Sequence, residues 1–544
     1  MRWDEYRDLI AEKGGLPENY YVLGIDLGTT NSVISYWDNS AKKPEVIDLS
    51  NGFGKIPMPS VVQFRKDDYT GDSEWVIGEE AYRSMKIYPE TTIRSVKRQM
   101  GTSDKIVFGK ESYKPEEISA KILSELVAHC HNLNPKAEIA GVVVSVPYDF
   151  DDAAKKATVR ACELAGLTDS LICLIEEPKA AALAYNFRHN LNKGEKIMVF
   201  DFGGGTFDIT IFHVVDKDES HIKLQVIGEG GEASHGGDNI DDIILKECYR
   251  IIEEKTGQAK ESIDIENQTD LIIKAREAKE RLSGVKSFRI PFTFCVPPFV
   301  EQLTRERFNE LIHDFMGKTK ALVLSTLQDA YAGAISPDEI DRVLLEGGSS
   351  QMPWVRDMLA EIFGGDSKIY SAERPALDIS IGATYYAAMK MGLLNNPDIV
   401  TEGPMVEFEV AVPHDIGLEV ATPNGLQFFT MIKRGTPYVL AKKSRVFTLS
   451  GDTLEDMTTF RLKVLERIDK DDTIDTCKLI GEFNLNNLPE RPSGKTKLKI
   501  TLSVTEEGGL VTGSVEDMGF GEEFEASGVR GCLREFGVGL WVGV

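Results

Sequence analysis

The chain has 544 residues, 42% of them hydrophobic and 27% charged, enough for roughly three or four domains with ample core. A net charge of −25 argues against a nucleic-acid or anionic-membrane surface, which needs clustered Lys and Arg. The seven cysteines show no CxxC spacing, so they read as reduced core thiols, and no apolar run approaches the roughly 18 to 20 residues that cross a bilayer.

Met1 to Lys13 sets Trp3, Tyr6, Leu9 and Ile10 on one helical face, without the apolar stretch of a signal peptide. Tyr21 to Leu27 reads as a buried strand that runs into Gly24-Ile-Asp-Leu-Gly-Thr-Thr30. Gly141 to Pro147 and Leu171 to Ile175 are further strands. Asp152 to Leu164, capped by Asp151 or Asp152 and closed by Gly166, and Pro178 to Phe187 are helices. His129 and His131 flank Cys130, but positions i and i+2 leave a helix on different sides, so a metal site is disfavoured. Lys196 to Phe202 is a strand that runs into Phe200-Asp-Phe-Gly-Gly-Gly-Thr206. Arg305 to Tyr331 reads as one long helix, and Asp341 to Glu346 as a strand ending in Gly347-Gly-Ser-Ser350.

From 21 to about 390 this alternation is that of α/β layers. Past Gly403-Pro404, short alternating runs broken by Asn, Gly, Asp and Pro turns predict an all-β domain over Val406 to Ala526. The resulting division is a helical extension (1–20), an α/β domain (21–395), a linker (396–412), a β domain (413–527) and a Gly-rich tail (528–544) whose residues carry no structural expectation.

The two glycine–threonine loops share one chemistry. Glycines let the backbone approach a bound group, successive N–H groups form an anion-binding concavity, and threonine hydroxyls add donors. Asp26 and Asp201 bring a carboxylate to each loop, able to hold Mg²⁺ through its water shell. Two such loops in the same order imply a duplicated domain that clamps one nucleotide.

In these loops, and in Val142-Val-Val-Ser-Val-Pro147, Glu176-Glu-Pro-Lys-Ala-Ala-Ala-Leu-Ala-Tyr185, Leu345-Glu-Gly-Gly-Ser349, Asp415-Ile-Gly-Leu-Glu419 and Ile432-Lys-Arg-Gly-Thr436, the chain resembles the 70-kDa heat-shock chaperones, DnaK-like proteins with an actin-type nucleotide domain. The resemblance implies an actin-like duplicated nucleotide-binding domain followed by a β-sandwich peptide-binding domain. It assigns catalysis to Lys97, which positions water, with Asp26, Glu177 and Asp201 around a hydrated Mg²⁺ and Thr206 facing the γ-phosphate. By itself Lys97 reads as a solvated helix lysine, and Glu177 as a cap for the helix after Pro178. ATP would be held by Gly28, Thr29, Thr30, Asn31, Gly203, Gly204, Gly205, Gly236, Gly237, Arg276, Lys279, Glu280, Ser283, Gly347, Gly348, Ser349 and Gln351, with K⁺ as a further candidate ion. Ala421, Phe428, Phe447, Ser450 and Phe460 would line the peptide cleft. Unfolded polypeptides, a J-domain co-chaperone and a nucleotide-exchange factor are the implied partners, with neither nucleic acid nor membrane among them.

Several positions depart from that pattern. Arg276 stands where the family has an acid, Gln351 where an arginine stacks on adenine, and Ala376 where an aspartate lies near the ribose. Losing the stacked arginine costs about 0.5 to 2 kcal/mol of binding, so weaker ATP affinity is expected. The joint Val406-Glu-Phe-Glu-Val410 replaces a run of leucines, and burying two carboxylates is costly, which predicts weakened coupling between domains. Phe460 stands where the peptide pocket has valine, and no helical pattern for a lid follows Ala526. The short segment between Gly101 and Tyr113 resembles Gram-positive members and implies a bacterial cytoplasm. The expected function is a slow, ATP-hydrolysing chaperone. The alternative is a nucleotide-dependent scaffold with vestigial turnover and one dedicated partner; a metabolite kinase on the same fold is disfavoured by the β domain.

Overall fold

The computed structural model describes residues 1–49, 57–66, 73–108, 111–189, 191–218, 221–331, 333–371, 375–394, 405–409, 411–412, 414–422, 425–449, 458–467, 472–504, 511–523 and 525–535. The chain divides into two compact units, Met1–Leu224 with Gly228–Glu407, and Gln225–Ile227 with Phe408–Val544.

The first unit is built on two sheets of one plan. Tyr20–Asp26 runs parallel to Glu138–Val146 on one side and antiparallel to Asn31–Asp38 on the other. Lys196–Phe202 does the same, parallel to Arg342–Glu346 and antiparallel to Phe207–Lys217. Each sheet then adds a parallel strand outside, Leu171–Glu176 and Ile369–Ser371 respectively. The repeat seen in two loops is therefore a repeat of whole sheets, the actin-like duplicated α/β architecture.

Val142, Val143 and Val144 are fully buried, as expected of a parallel strand covered on both faces. Their covering helices come close because small residues let them. Gly382 of helix Asp378–Lys390 passes so near helix Glu177–His189 that a Cβ there would lie 1.8 Å from the Ala180 carbonyl. The run Ala180 to Ala184 is accordingly buried on every side.

The N-terminal helix is Trp3–Lys13 and buries Tyr6 and Ile10, with the Tyr6 hydroxyl donating to Glu138 at 2.7 Å. Helix Asp152–Leu164 is capped by Asp151, whose carboxylate accepts from the Ala154 N–H at 2.8 Å. The single helix expected over Arg305 to Tyr331 is instead two, Arg305–Leu311 and His313–Gln328. The chain bends at Ile312, fully buried with φ −97° and ψ 11°, a packing anchor that apolar spacing does not reveal.

The second unit is an eight-stranded antiparallel sheet that nearly closes into a barrel. Its terminal strands, Gly425–Ile432 and Lys442–Leu449, meet where Phe429 sets its ring edge-to-face on Phe447 at 5.3 Å. Leu418, Val464, Phe483, Ile500, Leu502 and Val515 fill the core. Within the described part of the tail, Arg530–Glu535 is a strand between Lys478–Leu485 and Val511–Asp517. Its own residues lack apolar alternation, so only its neighbours reveal it.

Candidate functional site

Both loops stand at the ends of their central strands and line one cleft. Asp26, Gly28, Thr29, Thr30 and Asn31 come from the first loop, Asp201 and Gly203 to Thr206 from the second, and Gly347 and Gly348 from the third turn. Lys97 and Glu177 close the floor between them. The glycines are needed for approach: a Cβ on Gly204 would lie 1.7 Å from the Thr30 hydroxyl, and one on Gly205 would lie 2.5 Å from the Thr29 side chain. The second loop is braced from behind, because the Gly237 and Asp238 N–H groups donate to the Gly203 and Gly204 carbonyls at 3.0 and 2.8 Å.

Lys97 sits on the 3₁₀ turn Val96–Gln99 and is buried, not solvated. Its Nζ donates to Glu177 Oε1 at 2.5 Å. Glu177 opens helix Glu177–His189, yet its carboxylate is directed to the lysine. Burial works against the Lys97 charge, but Glu177, Asp26 and Asp201 outweigh it and hold the ammonium above its ordinary value.

The carboxylates outnumber that cation. Burial, followed by the charge of Glu177, pushes Asp26 up to about 7, although Ser145 donates to it at 2.9 Å. Burial and Glu177 also drive Asp201 well above the carboxylate range. Asp208 and Asp149, to which sequence reasoning gave no role, extend the cluster. Burial first, then Asp149, raises Asp208 strongly; neither of its oxygens meets a partner at bonding geometry, with only the nearby Thr206 hydroxyl working the other way. Burial and Glu177 raise Asp149 in turn, and its Oδ1 has no partner. Ser145 was legible as part of the motif Val142 to Pro147, whereas Pro57, Pro375 and Ile379 in the cleft lining carried no signal.

Surplus buried negative charge beside anion-binding backbone fits a cation held between carboxylates and phosphate. Among the described residues, no three His, Cys, Asp or Glu side chains are placed to ligate a metal directly.

The positions assigned to adenosine are arranged differently. Lys279 is occupied, its Nζ 2.8 Å from both the Gly237 carbonyl and Asp241. Ser349 is buried against Gly237, where a Cβ would lie 2.3 Å from its hydroxyl. Arg276 pairs with Glu280 at 3.0 Å and lays its guanidinium 5.2 Å from the Tyr82 ring. Ser283 returns its hydroxyl to the Lys279 carbonyl at 3.2 Å, and Gln351 is exposed, with its amide 3.3 Å from Ser350. The cleft lining reaches Ala376 but none of Arg276, Lys279, Glu280, Ser283 or Gln351.

At the joint, strand alternation buries Val406 and turns Glu407 to solvent, 3.7 Å from Lys223.

In the β unit, Ala421 is exposed on Asp415–Thr422, while Phe447 and Phe460 pack partly into the core. Phe428 lies under Arg467, 4.8 Å from its guanidinium, whereas Phe429 is the ring that meets Phe447. Ser450 lies outside the described residues.

Twin sheets, each delivering a glycine–threonine loop to a lysine–carboxylate centre, define the actin-like duplicated fold. The family profile described as "Hsp70 protein" matches residues 22–527. The chain is 32% identical over 513 residues to "Chaperone protein DnaK" of Thermosipho africanus (strain TCF52B), covering 92% of this chain and 79% of that protein. With the same coverage, it is 31% identical to the DnaK of Thermosipho melanesiensis over 515 residues and 32% to that of Thermotoga neapolitana over 520. The protein belongs to the Hsp70 family of chaperones. No helix among the described residues is long and apolar enough to cross a membrane.

Proposed function

We propose that this protein is an ATP-hydrolysing chaperone that binds unfolded polypeptide segments. The observation that carries the reading is the buried Lys97–Glu177 pair on the floor of the twin loops, flanked by Asp26 and Asp201. The loop amides, that of Thr30 among them, and the hydroxyls of Thr29 and Thr206 bind and orient the phosphates. Lys97, held by Glu177, places its ammonium where it aligns water for in-line attack and offsets developing charge. Asp26, Asp201 and Glu177 are the groups that would hold a hydrated Mg²⁺, which when bound neutralises phosphate charge. K⁺ is a second ion suited to the same carboxylates.

Substrate polypeptide would be held by the β unit, where Leu426, Phe429 and Val446 stay exposed on its terminal strands. A J-domain protein and a nucleotide-exchange factor would regulate the cycle, in a bacterial cytoplasm. With Arg276 engaged by Tyr82 and Gln351 exposed, adenine gains no stacked guanidinium, which supports weaker ATP binding.

Single-turnover hydrolysis of ATP with Mg²⁺ tests the reading. The expected result is slow phosphate release, accelerated by an unfolded protein and reduced about 100-fold or more in Lys97→Ala while ATP still binds. A slow rate indifferent to unfolded protein would point to a scaffold, and no ATP uptake at all would reject the reading.

A further inference from the structure

Ser95 has a left-handed backbone, φ 56° and ψ 32°, a conformation that side chains with a Cβ rarely adopt. It stands directly before the turn that carries Lys97, and its carbonyl accepts from the Arg98 N–H at 3.1 Å while that of Lys97 accepts from the Met100 N–H at 3.2 Å. A non-glycine residue persists in such a conformation when its surroundings over-determine it. Here the determinant comes from across the cleft. The Ser95 hydroxyl donates to Asp238 Oδ2 at 2.8 Å, and Thr30 donates to Asp238 Oδ1 at 3.3 Å.

Asp238 is itself fixed. It lies in the first turn of helix Gly237–Thr256, and its N–H donates to the Gly204 carbonyl at 2.8 Å. Its backbone is thus bonded to the second loop, while its carboxylate bonds the first loop and the Lys97 turn. Arg98 strengthens the same junction, donating to the Gly205 carbonyl at 3.0 Å and to Asn239 at 3.2 Å. Lys97 makes its own ion pair with Glu177 and none with Asp238.

We propose that Asp238 is a positioning residue for Lys97: through Ser95 and Thr30 it holds the strained lysine turn against the second loop, so that the lysine is aligned only while the cleft between the two loops is shut. The inference rests on the reading of the cleft as an ATPase site. Opening the cleft separates Asp238 from Ser95, and the turn then relaxes away from its left-handed start. Hydrolysis is thereby tied to closure by a hydroxyl–carboxylate contact outside the floor.

Two variants test this. Ser95→Gly keeps the left-handed backbone without steric cost and deletes only the hydroxyl; Asp238→Ala deletes the acceptor. Single-turnover hydrolysis should fall about tenfold or more in each, since small misplacements near the reacting groups are costly. ATP affinity should change by less than about threefold, and the double variant should be no slower than the slower single one, as for residues that act as a unit. Wild-type rates in Ser95→Gly, or losses that multiply in the double variant, would overturn the proposal. Amide hydrogen exchange at Arg98 and Met100 in nucleotide-free protein gives a separate readout. It should quicken in Asp238→Ala, and unchanged exchange would overturn the proposal whatever the substrate. A wild-type protein without ATP turnover would sink the ATPase reading instead, and the exchange result would still decide whether Asp238 holds the turn.

Discussion

The two units bury charge in opposite ways. In the β unit, Arg491 and Asp517 form a closed set: two bonds of 2.7 and 2.8 Å join them, Asp517 also accepts from the Gly519 and Ser527 N–H groups, and Arg491 also donates to the Glu525 carbonyl. Burial works against the Asp517 charge, but Arg491 and these bonds hold it well below the usual carboxylate range. In the nucleotide unit, Asp26, Asp149, Asp201 and Asp208 crowd around one lysine already taken by Glu177, and burial pushes all four upward. A structural ion pair completes its own electrostatics. On the proposed reading, the cleft leaves a deficit for the ligand and its cation to fill.

The largest expected effect that tests this contrast is in the closed set. Arg491→Met leaves Asp517 buried without its cation and should destabilise the β unit by about 3 to 5 kcal/mol, read as loss of its transition in calorimetry. A change below about 1 kcal/mol would show that the pair is an ornament of the fold. Next comes the pH dependence, which has opposite signs in the two units. Asp517 is depressed, so its contribution is present above the ordinary carboxylate pKa of 3.8 and is lost as pH falls through that value and below. Asp26 is raised to about 7, so the folded state holds a proton that the unfolded chain releases near 3.8. The nucleotide unit, free of ligand and metal, should therefore gain stability as pH falls from 7 towards 4, while the β unit changes little. Two calorimetric transitions that shift together over that range would erase the distinction.

Asp208→Asn carries the same contrast to one residue. Its oxygens lack partners, so a neutral amide of the same shape relieves repulsion, and the ligand-free nucleotide unit should gain about 1 kcal/mol. Asp517→Asn should do the reverse in chemical denaturation.

What the sequence shows of this site is what local chemistry determines. The loops were legible because glycine, threonine and aspartate at that spacing after a strand serve few other purposes, and the sheet repeat followed from their duplication. The break at Ile312 was hidden, because a buried isoleucine continues an apolar helical pattern whether or not the axis bends there. The strand Arg530–Glu535 was hidden for a related reason: its residues alternate weakly, and the open edges of Lys478–Leu485 and Val511–Asp517 supply its order. Phe428 and Phe429 are neighbours on a strand and face opposite ways, Phe428 under Arg467 and Phe429 against Phe447, contacts that no local pattern announces. The surplus of carboxylates was visible only in part, because Asp149 joins the cluster from another segment.

Arg276 shows most sharply how tertiary context reassigns a residue. The resemblance puts it among the ATP-binding positions, yet Tyr82, from a helix 194 positions earlier, takes its guanidinium face, and Glu280 takes its Nε. Arg276 is thus a charge whose partners are already supplied, a small closed set beside the open one. Replacing Tyr82 by Leu removes the ring and keeps apolar bulk, so the expected effect is the smallest here, about 0.5 to 1 kcal/mol of stability. Its direction in binding is the sharper test. If Arg276 serves only Tyr82 and Glu280, ATP affinity measured by calorimetry should stay unchanged or fall slightly in Tyr82→Leu. If the freed guanidinium turns to the base instead, affinity should rise, and the closed character assigned to this pair would be wrong.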